Sequence, residues 1–183
     1  LNTENAGIAV NERGAIVVDK RLHTTADNIW AMGDVTGGLQ FTYISLDDYR
    51  IVRDELLGEG KRSTDDRKNV PYSVFMTPPL SRVGMTEEQA RESGADIQVV
   101  TLPVAAIPRA RVMNDTRGVL KAIVDNKTQR MLGASLLCVD SHEMINIVKM
   151  VMDAGLPYSI LRDQIFTHPS MSESLNDLFS LVK

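Results

Sequence analysis

Cysteine is almost absent from this sequence, and no long apolar run occurs in it. Its one cysteine, Cys138, excludes an internal disulfide and any metal cluster built on several cysteines. No stretch approaches the roughly 18 consecutive apolar residues of a membrane helix, so we expect no membrane association. The N-terminal residues 1–4 do not resemble a signal peptide. Since a single thiol also suits a reducing compartment, we expect a cytoplasmic protein.

The charge distribution offers no surface for a polyanion. The chain carries 20 basic and 24 acidic side chains, a net charge of −4, and its lysines and arginines form no cluster. Nucleic acids and anionic membranes are therefore not expected partners. With 183 residues, 43% hydrophobic and 24% charged, the composition is that of a globular chain with room for one domain and part of another.

A polar stretch, residues 58–69, divides the sequence into two parts. We assign residues 1–60 to a first segment, 61–69 to a linker and 70–183 to a second domain. In the first segment, β-branched and apolar runs predict short strands at 15–18 and 29–32. A helix is predicted from an N-cap at Thr42 to Leu57, with core positions Ile44, Ile51, Val52, Leu56 and Leu57.

The second domain shows mostly strand patterns followed by helix patterns. Capping boxes and turn residues predict the element order β-β-α-β-β-β-α-α, which describes an α+β domain with an antiparallel sheet and helices on one side. Residues 105–116 are predicted to be irregular. The strands are predicted at 72–76, 81–85, 97–104 and, as a hairpin, 118–125 and 131–139, and the helices after Thr86, at 141–154, 157–163 and 171–182.

The helix predicted at 141–154 has two apolar faces. One face carries four residues at helical spacing: Met144, Ile147, Val148 and Val151. Ile145 and Met152 lie on another face, so we expect this helix at or beside a dimer interface. Asp140 is expected in the N-terminal cap of the helix. The methionines favour packing over a metal site, and no metal ligands are assigned.

A Gly-Asp pair follows the strand predicted at 29–32. This order puts the Asp34 carboxylate at the carboxyl end of a strand, where ligands bind in α/β sheets, and Gly33 permits a close approach to the backbone. The helix beginning near Thr42 presents the positive end of its dipole to a partial negative charge. An ordinary surface turn is the alternative for the same residues.

A histidine and a carboxylate lie close together near the C-terminus, in His168-Pro169-Ser170-Met171-Ser172-Glu173. A carboxylate that orients a histidine ring and stabilises its charged form makes a plausible acid/base unit. Ser170 and Glu173 also have the spacing of a capping box, which would satisfy the first N–H groups of the helix at 171–182. The spacing by itself leaves both interpretations open.

Three stretches together resemble the class I pyridine nucleotide-disulfide oxidoreductases. Residues 24–34, which end in Gly33-Asp34, are similar to the second FAD signature of that family. Residues 70–79 and 83–87 resemble the start of its dimerisation domain, and 168–173 resembles its His-Pro-x-x-x-Glu active-site signature. The three occur in the family's order across nearly the whole chain.

The resemblance implies roles for seven residues. Two are catalytic: His168 as the acid/base acting on a redox-active thiol pair of the other subunit, and Glu173 orienting it. Because that active site spans two subunits, the resemblance also implies a homodimer. The other five would bind FAD, with the aspartate on the ribitol and the helix N-terminus at the flavin: Gly33, Asp34, Phe41, Thr42 and Tyr43.

The sequence also departs from the family pattern. Tyr43 replaces a proline of several relatives, and Asp47 and Asp48 stand where many relatives have small residues. The chain has neither Gly-x-Gly-x-x-Gly nor Cys-x4-Cys, so the resemblance implies that the main FAD-binding half, the NAD(P) domain and the redox cysteines precede Leu1. The expected function is the C-terminal part of a FAD-dependent NAD(P)H oxidoreductase, inactive by itself. A non-catalytic dimerisation module with a structural His-Pro turn is the alternative.

Overall fold

The computed structural model describes residues 2–183. The chain divides into two compact units, one extending through Lys68 and the other covering Asn69–Lys183. Part of the polar stretch between them has regular structure, because Ser63 and Asp66 form a capping box around the 3-10 helix Thr64–Asp66.

The first unit contains one long helix, α1 (Thr42–Leu57), and the 3-10 helices Thr3–Ala6 and Gly33–Thr36. The strands predicted at 15–18 and 29–32 are not formed. Each run makes only a single bridge, Val10 with Ile16 and His23 with Trp30. Positive φ at Leu22 and Asn28 turns the backbone away from a continuous ladder.

Helix α1 packs through its middle rather than along its whole length. Ile51 and Val52 are buried with Leu22, whereas the predicted core residues Leu56 and Leu57 are exposed. The small core ends before the last turn of the helix, which explains the difference. Thr42 is the first helical residue and not the N-cap; Phe41, with extended backbone, takes that position.

The second unit is built on a five-stranded, fully antiparallel sheet with the order β1-β2-β5-β4-β3. The predicted α+β architecture is confirmed. The strands are β1 (Tyr72–Val74), β2 (Leu80–Gly84), β3 (Ile97–Pro103), β4 (Val119–Asp125) and β5 (Met131–Leu137). The helices are α2 (Glu87–Glu92), α3 (Pro108–Val112), α4 (Ser141–Asp153), α5 (Ser159–Asp163) and α6 (Ser174–Ser180).

Local hydrogen bonds explain where several elements begin and turn. Thr86 and Gln89 form the predicted capping box at the start of α2. The predicted hairpin of β4 and β5 is also formed, and the Asp125 carboxylate accepts hydrogen bonds from Lys127 N and Thr128 Oγ1 in its turn. Asp140 does not cap α4 with its side chain; it lies in the left-handed region at φ 60°.

The core of this unit lies between the sheet and helices α4 and α6. Alternate residues of β4 face it, and Val148 of α4 and Phe179 of α6 are completely buried there. Ile145, assigned to a second apolar face of α4, is also buried in this core, and Met152 packs against it. Ile145 is therefore covered within the unit and contributes no free apolar face, while the position of α4 at or beside a dimer interface stays a prediction.

The segment predicted to be irregular, residues 105–116, is partly helical. It contains the last two residues of the 3-10 helix Val104–Ala106 and all of α3. Pro108 occupies the first position of α3, where its missing N–H costs no helical hydrogen bond. Ile107 and Ala110 are buried, so packing rather than hydrophobic period stabilises this short element. Among residues 2–183, no helix is both long and apolar enough to cross a membrane.

Candidate active site

The segment that carries His168 runs from the end of α5 to the start of α6. The chain before it is braced by Asn176 of α6, whose Nδ2 lies 2.8, 3.0 and 2.9 Å from the carbonyl oxygens of Leu161, Arg162 and Gln164. The three carbonyls share the two hydrogens of this amide. Side-chain amides commonly satisfy loop carbonyls in this way. Asn176 therefore ties α6 to the chain just before His168.

His168 and Glu173 are in direct contact. His168 Nδ1 lies 3.0 Å from Glu173 Oε1 and 2.9 Å from Oε2. The histidine side chain is 72% exposed, while that of the glutamate is only 15% exposed. An exposed ring is thus held at one nitrogen by a mostly buried carboxylate, which fixes its orientation.

Ser170 makes only half of the expected capping box. Its Oγ accepts a hydrogen bond from Glu173 N at 3.2 Å, but the Glu173 carboxylate is directed at the His168 ring. Helix α6 begins at Ser174, later than the predicted residue 171. The geometry favours the histidine–carboxylate pair over a reciprocal cap.

The Gly33-Asp34 pair opens the 3-10 helix Gly33–Thr36, and Asp34 is exposed. Gly33 has φ +76°, and a Cβ added there would lie 2.9 Å from Ser45 Oγ of α1. Both the conformation and the space require glycine at this position. The turn therefore lies directly against the first turns of α1.

Two aromatic rings lie at the start of α1. Phe41 and Tyr43 are stacked with centroids 5.0 Å apart and planes 9° from parallel, on either side of Thr42 in the sequence. Partial burial raises the pKa of the Tyr43 hydroxyl. The helix dipole places partial positive charge at this end of the element.

A buried carboxylate, which the sequence analysis noted only as a departure from relatives, lies behind the turn. Asp48 Oδ2 accepts a hydrogen bond from Gly33 N at 2.7 Å, and its other oxygen pairs with Arg67. Burial disfavours the charged guanidinium, but hydrogen bonds to Asp47 and Asp48 outweigh burial and raise the pKa of Arg67. Neither Arg67 nor Asn176 had a signal in local spacing, because both act on residues distant in sequence.

The structure groups the predicted residues by unit. The five cofactor candidates lie on the Gly33–Thr36 turn and the start of α1 in the first unit. The two catalytic candidates are in contact in the second unit. No three His, Cys, Asp or Glu side chains among residues 2–183 are arranged to hold a metal ion.

Comparison with protein families gives a match over both units. Residues 70–179 match the family described as pyridine nucleotide-disulphide oxidoreductase, dimerisation domain. Residues 1–48 match a second family, described as pyridine nucleotide-disulphide oxidoreductase. The chain belongs to the pyridine nucleotide-disulphide oxidoreductase family. The resemblance stated from three short stretches is thereby confirmed.

Individual members of the family show the same relationship. The probable pyridine nucleotide-disulfide oxidoreductase RclA of Escherichia coli (strain K12) is 99% identical over 183 residues, which are 100% of this chain and 42% of that protein. Mercuric reductase of Staphylococcus aureus is 36% identical over 175 residues, covering 96% of this chain and 32% of that protein. The chain thus spans less than half the length of these relatives.

Two solved structures superpose closely on this chain. The HOCl-induced flavoprotein disulfide reductase RclA from Escherichia coli has a TM-score of 0.99 at 98% identity, over 100% of this chain and 42% of that chain. LpdA from Mycobacterium tuberculosis has a TM-score of 0.89 at 23% identity, over 100% of this chain and 40% of that one. The second comparison is evidence for the fold alone.

Proposed function

We propose that this chain is the C-terminal part of a FAD-dependent NAD(P)H oxidoreductase of the disulfide reductase type. It would supply the acid/base pair, part of the flavin site and a dimer interface. The observation that carries the proposal is the exposed His168 ring, held at Nδ1 by the mostly buried Glu173. An orienting carboxylate behind an accessible imidazole is the arrangement of an acid/base catalyst.

His168 and Glu173 would have different roles in proton transfer. With Nδ1 donating to Glu173, the opposite ring nitrogen, Nε2, is left to take a proton from a thiol and to return it. Glu173 stabilises the imidazolium formed in that step without itself reacting. Asn176 keeps the loop before His168 in place through its three carbonyl contacts.

The first unit has the donor and acceptor set that a flavin nucleotide requires. The exposed Asp34 carboxylate can accept hydrogen bonds from ribitol hydroxyls, and Gly33 adds no side chain beside it. The positive end of α1 at Thr42, beside the Phe41–Tyr43 stack, suits the electron-rich edge of the ring. FAD held by these residues would supply the hydride and electron transfer between NAD(P)H and a disulfide.

The proposal includes a homodimer and further domains. The relatives that match this chain extend well beyond it, and those extra residues would contain the main FAD half, the NAD(P) site and the redox cysteines. The thiol pair that His168 serves would come from the second subunit. A reducing, cytoplasmic setting suits an enzyme that cycles a dithiol.

A non-catalytic module with a structural His-Pro turn is the second candidate. The observation in its favour is the hydrogen bond from Glu173 N to Ser170 Oγ, which is a capping contact. In this case Glu173 would only hold the loop, and its charge would have no kinetic role.

Stopped-flow measurement of both half-reactions separates the two candidates. In a full-length family protein carrying this segment, we expect His168→Ala to slow thiol–disulfide exchange by roughly two to four decades while flavin reduction by NAD(P)H is unchanged. Glu173→Gln should slow the same step less, because the ring remains in place. Glu143→Gln, at an exposed glutamate of α4, is the matched control.

The structural candidate predicts a different pattern. His168→Ala would then change stability by about 1 kcal/mol and leave both half-reactions near wild-type speed, and Glu173→Gln would be silent in both. That pattern would reject the catalytic assignment of His168 and Glu173.

A further inference from the structure

A buried charge supports the turn that carries Asp34. Asp48 is 2% exposed, and its Oδ2 accepts the backbone N–H of Gly33 at 2.7 Å. A carboxylate–amide bond with a buried acceptor is among the stronger hydrogen bonds in proteins. It joins the second turn of helix α1 to the residue immediately before Asp34.

Arg67 compensates the negative charge of the buried Asp48 carboxylate. Its guanidinium contacts Asp48 Oδ1 through Nη2 and Asp47 Oδ2 through Nε at 2.8 Å, and its side chain is only 18% exposed. Arg62 adds a contact to Asp47 Oδ1 at 2.9 Å. A buried carboxylate without such a cation would be strongly unfavourable. The stretch expected to be a plain linker, residues 61–69, therefore supplies the counter-charges.

The contact couples two parts of the flavin site. Asp48 and Thr42 lie on the same helix, α1. Their separation is therefore fixed by the helical rise of about 1.5 Å per residue. Gly33 also packs against Ser45 so closely that a Cβ would lie 2.9 Å from its Oγ. One carboxylate thus sets Asp34 relative to the N-terminus of α1.

We propose that Asp48 is a positioning residue for the flavin site, holding the Gly33-Asp34 turn in register with α1, with Arg67 as its mostly buried counter-ion. This inference rests on the proposed function, since it takes Asp34 and the start of α1 as flavin-binding groups. The essential element is the acceptor on Gly33 N–H. The charge pair is the means by which that acceptor is buried.

Two double variants of the full-length protein separate the acceptor from the charge. Asp48→Asn with Arg67→Gln removes both charges but keeps an oxygen for Gly33 N–H. Asp48→Leu with Arg67→Met also removes both charges, preserves packing as buried ion-pair replacements often do, and leaves no acceptor. Titration of each apoprotein with FAD, followed by flavin fluorescence, gives the dissociation constants.

We expect the amide double variant to bind FAD within about threefold of wild type and the apolar double variant to bind about tenfold more weakly, the loss from one unmade buried hydrogen bond. FAD affinity within threefold of wild type in both would overturn the proposal. Equal weakening in both would also overturn it, because the charges and not the acceptor would then be responsible. If the apolar variant does not fold, Asp48→Ala with Arg67→Gln removes the same acceptor and carries the same expectation.

Two further variants keep this inference distinct from the proposed function. Asp65→Asn changes an exposed carboxylate of the 61–69 segment, which pairs with Lys20, and we expect unchanged FAD affinity. Asp34→Ala tests the flavin site itself. Unchanged FAD affinity in Asp34→Ala would overturn both the proposed flavin site and the proposed role of Asp48. Weakened binding there, with wild-type affinity in the apolar double variant, would overturn only the role of Asp48.

Discussion

Burial determines the chemistry of the single thiol at the residue scale. Cys138 lies directly after β5, and its Sγ contacts Met144 Sδ at 3.8 Å in the core. Burial, with a smaller contribution from the charge of Asp140, raises the pKa of Cys138 to about 12. The thiolate is the reactive form of cysteine, so this residue is a small core side chain and not a redox partner of His168.

We therefore expect Cys138 to resist alkylation in the folded chain. Because its pKa is raised, the neutral thiol persists across about pH 7–9.5, and the iodoacetamide rate should stay low throughout that range. In urea the thiol returns to an ordinary pKa of about 8.5, and the rate should rise with pH. Mass spectrometry of the labelled chain gives both rates, and rapid labelling of the folded chain at pH 8 would contradict the burial of this thiol.

At the scale of elements, α6 organises the candidate catalytic loop from two sides. Its first residues follow Glu173, which holds the His168 ring, and Asn176 one turn later bonds three carbonyls at the end of α5. Leu175 and Phe179 of the same helix are completely buried in the core. The position of the imidazole thus depends on a helix that is itself fixed by packing.

Replacing Asn176 by alanine should loosen this loop. The carbonyls of Leu161, Arg162 and Gln164 would lose the amide donor that they share, and we expect a loss of roughly 1–3 kcal/mol in the free energy of unfolding of the second unit. Urea unfolding followed by far-UV circular dichroism measures the loss. Asn146→Ala, which removes one exposed contact to the His142 carbonyl on α4, is the control. Equal stability of the two variants would show that Asn176 does not brace the loop.

At the scale of the whole molecule, the second unit leaves large apolar side chains in solvent. Ile165, just before His168, is 93% exposed and Phe75, after β1, is 78% exposed. Contiguous exposed apolar patches mark protein interfaces, and we expect these two side chains to belong to one. The family match to a dimerisation domain over residues 70–179 supports the same interpretation.

We expect the chain to sediment as a dimer and these two side chains to lie in its interface. Ile165→Asp and Phe75→Asp should each shift the equilibrium towards monomer in analytical ultracentrifugation, since a buried unpaired charge opposes association. Leu57→Asp, at an 83% exposed position of α1 in the first unit, should leave the dimer intact. A strict monomer at high concentration in the unsubstituted chain would contradict the expectation.

Local sequence determined the features that depend on near neighbours. The capping box of Thr86 and Gln89 and the turn between β4 and β5 were predictable because their hydrogen bonds join residues only a few positions apart. The apolar spacing of α4 placed Met144 and Val148 in the core correctly. The His168–Glu173 spacing made their contact possible, but it permitted a capping box equally well.

Tertiary structure decided the rest, because burial and charge pairing depend on segments far apart in sequence. Asp48 is buried because Arg67 and the Gly33 amide satisfy its carboxylate. Leu57 is exposed because the small core of the first unit ends before it. The β-branched run at 15–18 found no neighbouring strand and so forms a single bridge. The Glu173 carboxylate contacts the His168 ring and does not cap α6, because the packed helix begins only after it, at Ser174.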